Sequence, residues 1–130
     1  MRVALLALTL AACAAPLAPA ANTLALDNTH WMRVDRSEDA PHFPTLDFAD
    51  GAASGHAGCN RWNARFEQTG DRLAFGPVAT TRMMCAEPAM ATERAFVLML
   101  ADAVAARLDG GQLLFLDQSG AITARFERAD

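Results

Sequence analysis

Three cysteines, three histidines and fifteen carboxylates are the groups in this 130-residue chain that could ligate, attack or move a proton. Cys59 and Cys85 can form a disulfide, stay as two buried thiols, or serve a metal. The metal reading takes His56-x-x-Cys59 with Cys85 and needs His30 or His42 as a fourth ligand. A structural zinc site commonly draws its four ligands from two close pairs, and only one close pair is present. A redox dithiol fails on spacing, because there is no C-x-x-C. Ser54-Gly55-His56 lies in a glycine-rich run but not in a G-x-S-x-G elbow, and Ser37 and Ser119 fall in turns. No phosphate-cradling G-x-x-x-x-G-K-[ST] loop exists, and the chain has no Lys to complete one. Acid pairs for glycoside-type hydrolysis are too many for spacing to single two out. Thr80-Thr81-Arg82 could meet an anion, although such an Arg is usually solvated or ion-paired. Met83, Met84, Met90 and Met99 read as core filling, with a ligand groove the alternative. No catalytic, cofactor-binding or metal residue is therefore assigned, no cofactor is expected, and the chain reads as a non-enzyme.

Cys13 has a different setting. Met1-Arg2 is followed by the apolar run Val3 to Leu10 and then by Ala11-Ala12-Cys13. A short basic start, an apolar stretch too short to span a bilayer, and small residues make an export signal. Leu10-Ala11-Ala12-Cys13 resembles a bacterial lipobox, which implies cleavage before Cys13 and lipidation of its thiol. Several acyl chains give stable anchoring. An ordinary secretory signal cut after Ala18-Pro19-Ala20 is the alternative. On the lipoprotein reading residues 1–12 are removed, and residues 13–22, with Pro16 and Pro19, form the lipidated Cys and an extended tether. The folded domain then occupies 23–130. If Cys13 carries lipid, two cysteines remain and pairing is the simplest outcome. Such a bridge is worth about 3.5 kcal/mol by chain entropy.

The elements that must position these groups are short. Period-2 alternation predicts strands at His30–Asp35, Thr45–Phe48, Ala64–Gln68, Arg72–Phe75, Ala105–Leu108, Gln112–Leu116 and Ala121–Glu127. Ile122, Ala124 and Phe126 share the apolar face of the last one. Arg36–His42 reads as a loop, Ala52–Gly58 as an extended segment closely approached by a neighbour, and Asp50-Gly51, Thr69-Gly70-Asp71, Asp109-Gly110-Gly111 and Asp117–Gly120 as turns. Val78–Cys85 shows no clear period. Glu87-Pro88 marks the start of one long helix running to about Ala103. Its stripe is Phe96, Met99, Leu100 and Ala103, bordered by Val97 and Val104. Short strands with turns between them plus one helix indicate an α+β domain with antiparallel pairing.

Composition sets the outer limits. One domain fits the length. The 52% hydrophobic content excludes a disordered tail protein, and the net charge of −4 opposes phosphate tracking, so nucleic acid is not an expected partner. Loss of Arg2 with the signal moves the balance one unit further negative.

The order of features from Trp31 to Phe126 resembles the META domain family, which includes the HslJ-like heat-inducible envelope lipoproteins. The residues that carry it are Trp31, Pro44-Thr45-Leu46-Asp47-Phe48, Gly58-Cys59-Asn60, Thr80-Thr81-Arg82-Met83-Met84-Cys85, Glu93 with Phe96 and Leu100, and Leu113 to Leu116. The combination of G-C-N with T-R-M-x-C is the specific part, with Gly58, Asn60, Thr81 and Arg82 as motif positions. The resemblance implies a curled antiparallel sheet or partial barrel, taken as about seven to eight short strands around the helix at about 88–103. It also implies pairing of Cys59 with Cys85 and a location in the bacterial envelope. That location is the periplasmic face, anchored at the outer membrane, with soluble secretion as the alternative. The family supplies links to stress response and antibiotic tolerance but no reaction. The expected partners are the membrane through the lipid and an envelope protein or small ligand; the chain itself is expected as a monomer. A structural part in an envelope assembly and a hydrolase of undetected mechanism are the competing functions.

Overall fold

The computed structural model describes residues 14–15, 24–34 and 43–129. The expected export signal, Cys13, most of the expected tether, and residues 35–42 with His42 lie outside them. Among the described residues nine strands and one helix follow in chain order: β1 (Thr29–Arg33), β2 (Thr45–Ala49), β3 (Ala52–His56), β4 (Arg61–Thr69), β5 (Arg72–Phe75), β6 (Ala79–Thr80), α1 (Ala89–Asp102), β7 (Ala105–Asp109), β8 (Gln112–Leu116) and β9 (Ile122–Arg128).

All strand pairs are antiparallel, in the order β3-β2-β1-β9-β8-β7-β5-β4-β6, and a further pairing of β3 with β4 bends the sheet into a ring. The nine-residue β4 makes this possible. Its first half pairs with β3 through Ala52↔Arg65 to His56↔Arg61, and its second half with β5 through Phe66↔Phe75 to Thr69↔Arg72. The β5–β7 junction is narrow, with the single register pair Arg72↔Ala105, so the architecture is a curled ring rather than a true barrel. The expected α+β class holds, but the sheet is larger than the sequence indicated. Trp62 extends the alternation of β4 back to Arg61, and β6 forms inside the stretch that shows no period.

Alternation decides which side chains point inward. Trp31 stands opposite Leu46, Thr29 opposite Phe48, and Leu113 opposite Phe126, all of them buried. The interior is aromatic: Trp62 lies edge-on to Phe96 at 5.4 Å, Phe48 edge-on to Phe66 at 4.9 Å, and Phe115 lies 5.0 Å from Phe126. A register shift at Phe115/Leu116 alters the β9 face, so Ala124 and Phe126 are buried whereas Ile122 is 38% exposed. Ile122 therefore leaves the apolar face on which simple alternation puts it.

The helix begins and ends within a residue or so of its sequence limits. Alanine, Leu, Met and Glu favour it. The Glu87 carboxylate organises the first turn, accepting the Ala91 N–H at 2.8 Å and Arg94 at 2.9 Å. The Arg94 contact and then the Ala91 N–H hold the Glu87 carboxyl below the usual carboxylate range. Ala103 turns extended and donates its N–H to the Met99 carbonyl. The expected stripe of Phe96, Met99, Leu100 and Ala103 is buried against the ring, Ala89 and Glu93 extend it toward the start of the helix, and Leu98 faces outward at 65% exposure. No helix among the described residues is long and apolar enough to cross a membrane.

Candidate functional site

The G-C-N block forms the tight turn between β3 and β4. The Ala57 N–H bonds to the Asn60 carbonyl at 2.8 Å, and the Gly58 N–H to His56 Nδ1 at 3.2 Å. Gly58 has φ +122°, and a Cβ there would come 2.9 Å from Thr92 Cγ2 and 3.1 Å from the Ala89 carbonyl oxygen. Only glycine lets this turn sit against the first turns of α1. One strand earlier, a Cβ at Gly55 would overlap the Thr45 carbonyl, which accepts the Trp62 indole N–H at 3.1 Å.

Asn60, so placed, joins three separate pieces of chain. Its main-chain N–H donates to Glu93 Oε1 at 2.8 Å and its Nδ2 to Glu93 Oε2 at 3.0 Å. The remaining Nδ2 hydrogen goes to the Met83 carbonyl at 3.2 Å. Asn60 Oδ1 accepts the Met83 N–H at 2.6 Å and the Thr81 hydroxyl at 3.0 Å. Thr81 Oγ1 in turn accepts the Arg61 N–H at 3.1 Å. Every donor and acceptor of the Asn60 side chain is thus used, in a site 3% exposed. Cys59 is joined to Cys85 by a disulfide with Cα atoms 5.9 Å apart. Sulfur and amide therefore fasten the same 81–85 segment from neighbouring positions.

Glu93 is the functional residue whose partner the spacing did not reveal. It lies three residues before Phe96 and seven before Leu100, so the stripe extended backward reaches an acid. An acid on a buried stripe signals a polar partner, because an unpaired buried polar group is costly.

The other candidates are dispersed. Both cysteines are consumed by the bridge, which removes the thiolates from the His56–Cys59–Cys85 zinc arrangement. Among the described residues, no three His, Cys, Asp or Glu side chains are grouped to hold a metal ion. His30 Nδ1 meets Asp47 Oδ1 at 2.7 Å on the outer face, and Ser54 stands opposite Asp47 on the far side. The carboxylate lies between imidazole and hydroxyl, whereas triad chemistry needs the imidazole between the other two. Asp117 Oδ1 accepts the Ser119 hydroxyl at 2.6 Å, the Ser119 N–H and the Ala121 N–H; the Ser119 hydroxyl, then the Ala121 amide, lowers its pKa. That acid serves a turn. Trp31 is buried, donates to Thr29 Oγ1 at 2.7 Å, and carries the Arg128 guanidinium 5.6 Å from its ring centre. Among the described residues, no buried side-chain nitrogen or oxygen lacks a partner.

Beside the Asn60–Glu93 pair opens a groove of about 550 Å³, lined also by Val78, Thr80, Thr81, Arg82, Met83, Met84 and Met90. Met83 is 56% and Met84 91% exposed, so neither fills the core; of the four clustered methionines only Met99 does. The Asn60 bonds fix the Met83 main chain against β4, and this directs the following side chains away from the ring.

Comparison with known proteins agrees with this construction. A solved structure of a protein from Burkholderia xenovorans is similar, with a TM-score of 0.65 and 24% identity over 88% of this chain and 99% of that one. A second solved structure gives a TM-score of 0.63 and 23% identity over 81% of this chain and 92% of that one. At these identities the likeness is one of fold. A comparison with curated proteins returned no match. The META domain model matches residues 23–130, from just before Leu24 to the last residue of the sequence, and the chain belongs to the META domain family.

Proposed function

We propose that this protein is an exported META-domain protein of the bacterial envelope, anchored through Cys13, that binds or protects rather than catalyses, in stress response or antibiotic tolerance. The observation that carries the reading is the saturated Asn60 centre. Reactive sites commonly leave polar groups poised for a substrate, whereas Asn60 and Glu93 spend theirs on one another, on the Thr81 hydroxyl and on the Met83 backbone. The most distinctive part of the sequence is thereby used as a fastening. The Cys59–Cys85 bridge supports an oxidising compartment, and the Burkholderia neighbour supports a bacterial setting. The exposed groove with Arg82 is the surface left for a ligand or an envelope protein.

Two measurements test this. Metabolic labelling with a fatty acid is expected to mark the wild type and not Cys13→Ala; an unlabelled wild type refutes the anchor. A photo-crosslinking residue at Thr80, in the groove, is expected to trap a discrete adduct in cells, and one at the exposed Glu127 in β9, across the ring from β4, to trap none. Equal trapping at both positions refutes the groove as the binding surface. The adducts also separate a diffusible ligand from a fixed place in an envelope assembly, because the latter gives one abundant protein-sized species.

A further inference from the structure

Of the six methionines in the chain, five lie among the described residues, and the exposures of those five differ sharply. Met99 is 7% exposed and belongs to the core, and Met90 and Met32 are half-buried. Met83 and Met84, adjacent in sequence, are 56% and 91% exposed. A thioether this open forgoes the burial that favours methionine inside. The pair does not hang on a loose loop: Asn60 holds the Met83 N–H at 2.6 Å and its carbonyl at 3.2 Å, and Cys85 bridges to Cys59 directly after Met84. The backbone is fixed at the interior while two soft sulfur atoms stand in solvent.

We propose that Met83 and Met84 form an oxidant-reactive site that takes up hypohalous acid and is converted to methionine sulfoxide without loss of the fold. The sulfur lone pair attacks the chlorine of hypochlorous acid, the O–Cl bond breaks, and hydroxide leaves. Water then adds to the chlorosulfonium sulfur, chloride departs, and two protons are released, one of which neutralises the hydroxide. The net change is thioether plus HOCl to sulfoxide plus HCl, a two-electron oxidation at each sulfur, reversible by methionine sulfoxide reductases. Because neither side chain belongs to the core, adding a polar oxygen disturbs no packing. It does change the groove, converting an apolar wall beside Arg82 into one with hydrogen-bond acceptors. The site gives the protective reading a chemistry, while its own test is independent of where the protein resides.

The chain from residue 13 onward, carrying Cys13→Ala so that no free thiol competes and with its disulfide formed, is treated with hypochlorous acid from one to four equivalents and digested with trypsin, which cuts after Arg82 and Arg94. Fragment spectra then locate each oxygen. The expected product at two equivalents carries about 32 Da on Met83 and Met84. Met84 is expected to react within about twofold of N-acetylmethionine amide, and Met99 at least about tenfold more slowly. The doubly oxidised protein keeps its melting temperature within about 2 °C, and a sulfoxide reductase removes both oxygens. Met83→Leu/Met84→Leu is expected to slow the consumption of the first two equivalents by sulfur. Oxidation of Met90 or Met99 at rates comparable to Met84 overturns the proposal. So does a fall in melting temperature of more than about 5 °C on double oxidation, or unchanged uptake by the double variant. If oxidation follows the expected order but groove crosslinking fails, the oxidant site stands and the binding surface falls.

Discussion

Replacing Asn60 by Ala removes a side chain whose four bonds tie β4, the 81–83 segment and α1 together. Glu93 Oε2 loses its donor while Oε1 keeps the Asn60 main-chain N–H at 2.8 Å. A bond to a carboxylate is worth about 1.5–3 kcal/mol net, and a neutral one about 1 kcal/mol. The Met83 N–H at 2.6 Å and the Thr81 hydroxyl at 3.0 Å lose their acceptor, and the Met83 carbonyl loses a donor at 3.2 Å. Water entering through the groove can replace part of this second group, so about 1–2 kcal/mol is assigned to it. Glu93, at 8% exposure, has less recourse to solvent. The total is about 2.5–5 kcal/mol, large for one surface-adjacent polar residue. Urea unfolding with the disulfide intact is the assay: the midpoint should fall and the slope stay constant. Asn60→Asp should cost at least as much, because it sets oxygen against the Glu93 oxygens where Nδ2 stood. A double-mutant cycle with Glu93→Ala should give a coupling of about 1.5–3 kcal/mol. A loss below about 1 kcal/mol for Asn60→Ala, or a coupling near zero, would refute the assignment of this centre as the fastening between sheet and helix.

Three further perturbations have expected outcomes. Cys59→Ala/Cys85→Ala should lower stability by about 2–4 kcal/mol in denaturant melts; equal midpoints for mutant and oxidised wild type would contradict the role of the bridge. Phe96→Ala, which empties a fully buried site packed on Trp62 at 5.4 Å, should cost about 3–5 kcal/mol by the same method. For Glu87 the folded-state pKa is depressed, so its contribution is complete above the ordinary Glu range and is lost as pH falls through the depressed value. NMR titration should show the Glu87 carboxyl protonating below a free Glu, and Arg94→Ala should raise that midpoint; an unmoved midpoint in Arg94→Ala would remove the Arg94 contact as the main cause.

What the sequence disclosed and what it withheld follow the range of the interactions. Leu46 with Phe48, Leu73 with Phe75, and Ala124 with Phe126 alternate within a strand, so periodicity finds their strands. Asp50-Gly51 and Asp109-Gly110-Gly111 locate the turns by their own conformational demands; both glycines at 110 and 111 have positive φ. The helix limits are local as well. Ile122 was misplaced because a register shift depends on the partner β8, which a single strand does not show. Met83 and Met84 stand outside the core for a related reason. Composition recommends them for a core, but whether a segment reaches that core depends on its anchor, and the anchor of Met83 is Asn60, far back in the chain. Glu93 was visible as a motif position, yet its pairing with Asn60 spans 33 residues and no local rule predicts it. The cysteine pair was inferable because only two cysteines remain once the first is assigned elsewhere.

The placement of the motif residues bears on how the family signature should be read. The ring closes through β3–β4 and a narrow β5–β7 junction, and neither contact secures the start of α1, which follows the weakly paired β6. A helix plugging such a ring needs a tie at its first turns, and Gly58, Asn60, Thr81 and Cys85 converge there with Glu93. These residue types follow from the tie: glycine for close approach, amide for two donors and two acceptors, cysteine for a covalent link. The signature therefore reports how sheet and helix are joined. The side chains that the tie presents outward are Arg82 and the exposed thioethers of Met83 and Met84. Substituting those three leaves every bond of the Asn60 centre in place, because Met83 contributes only its main chain. A variant carrying Arg82→Ala, Met83→Leu and Met84→Leu should accordingly fold with wild-type stability and lose groove crosslinking, whereas Asn60→Ala should lose both.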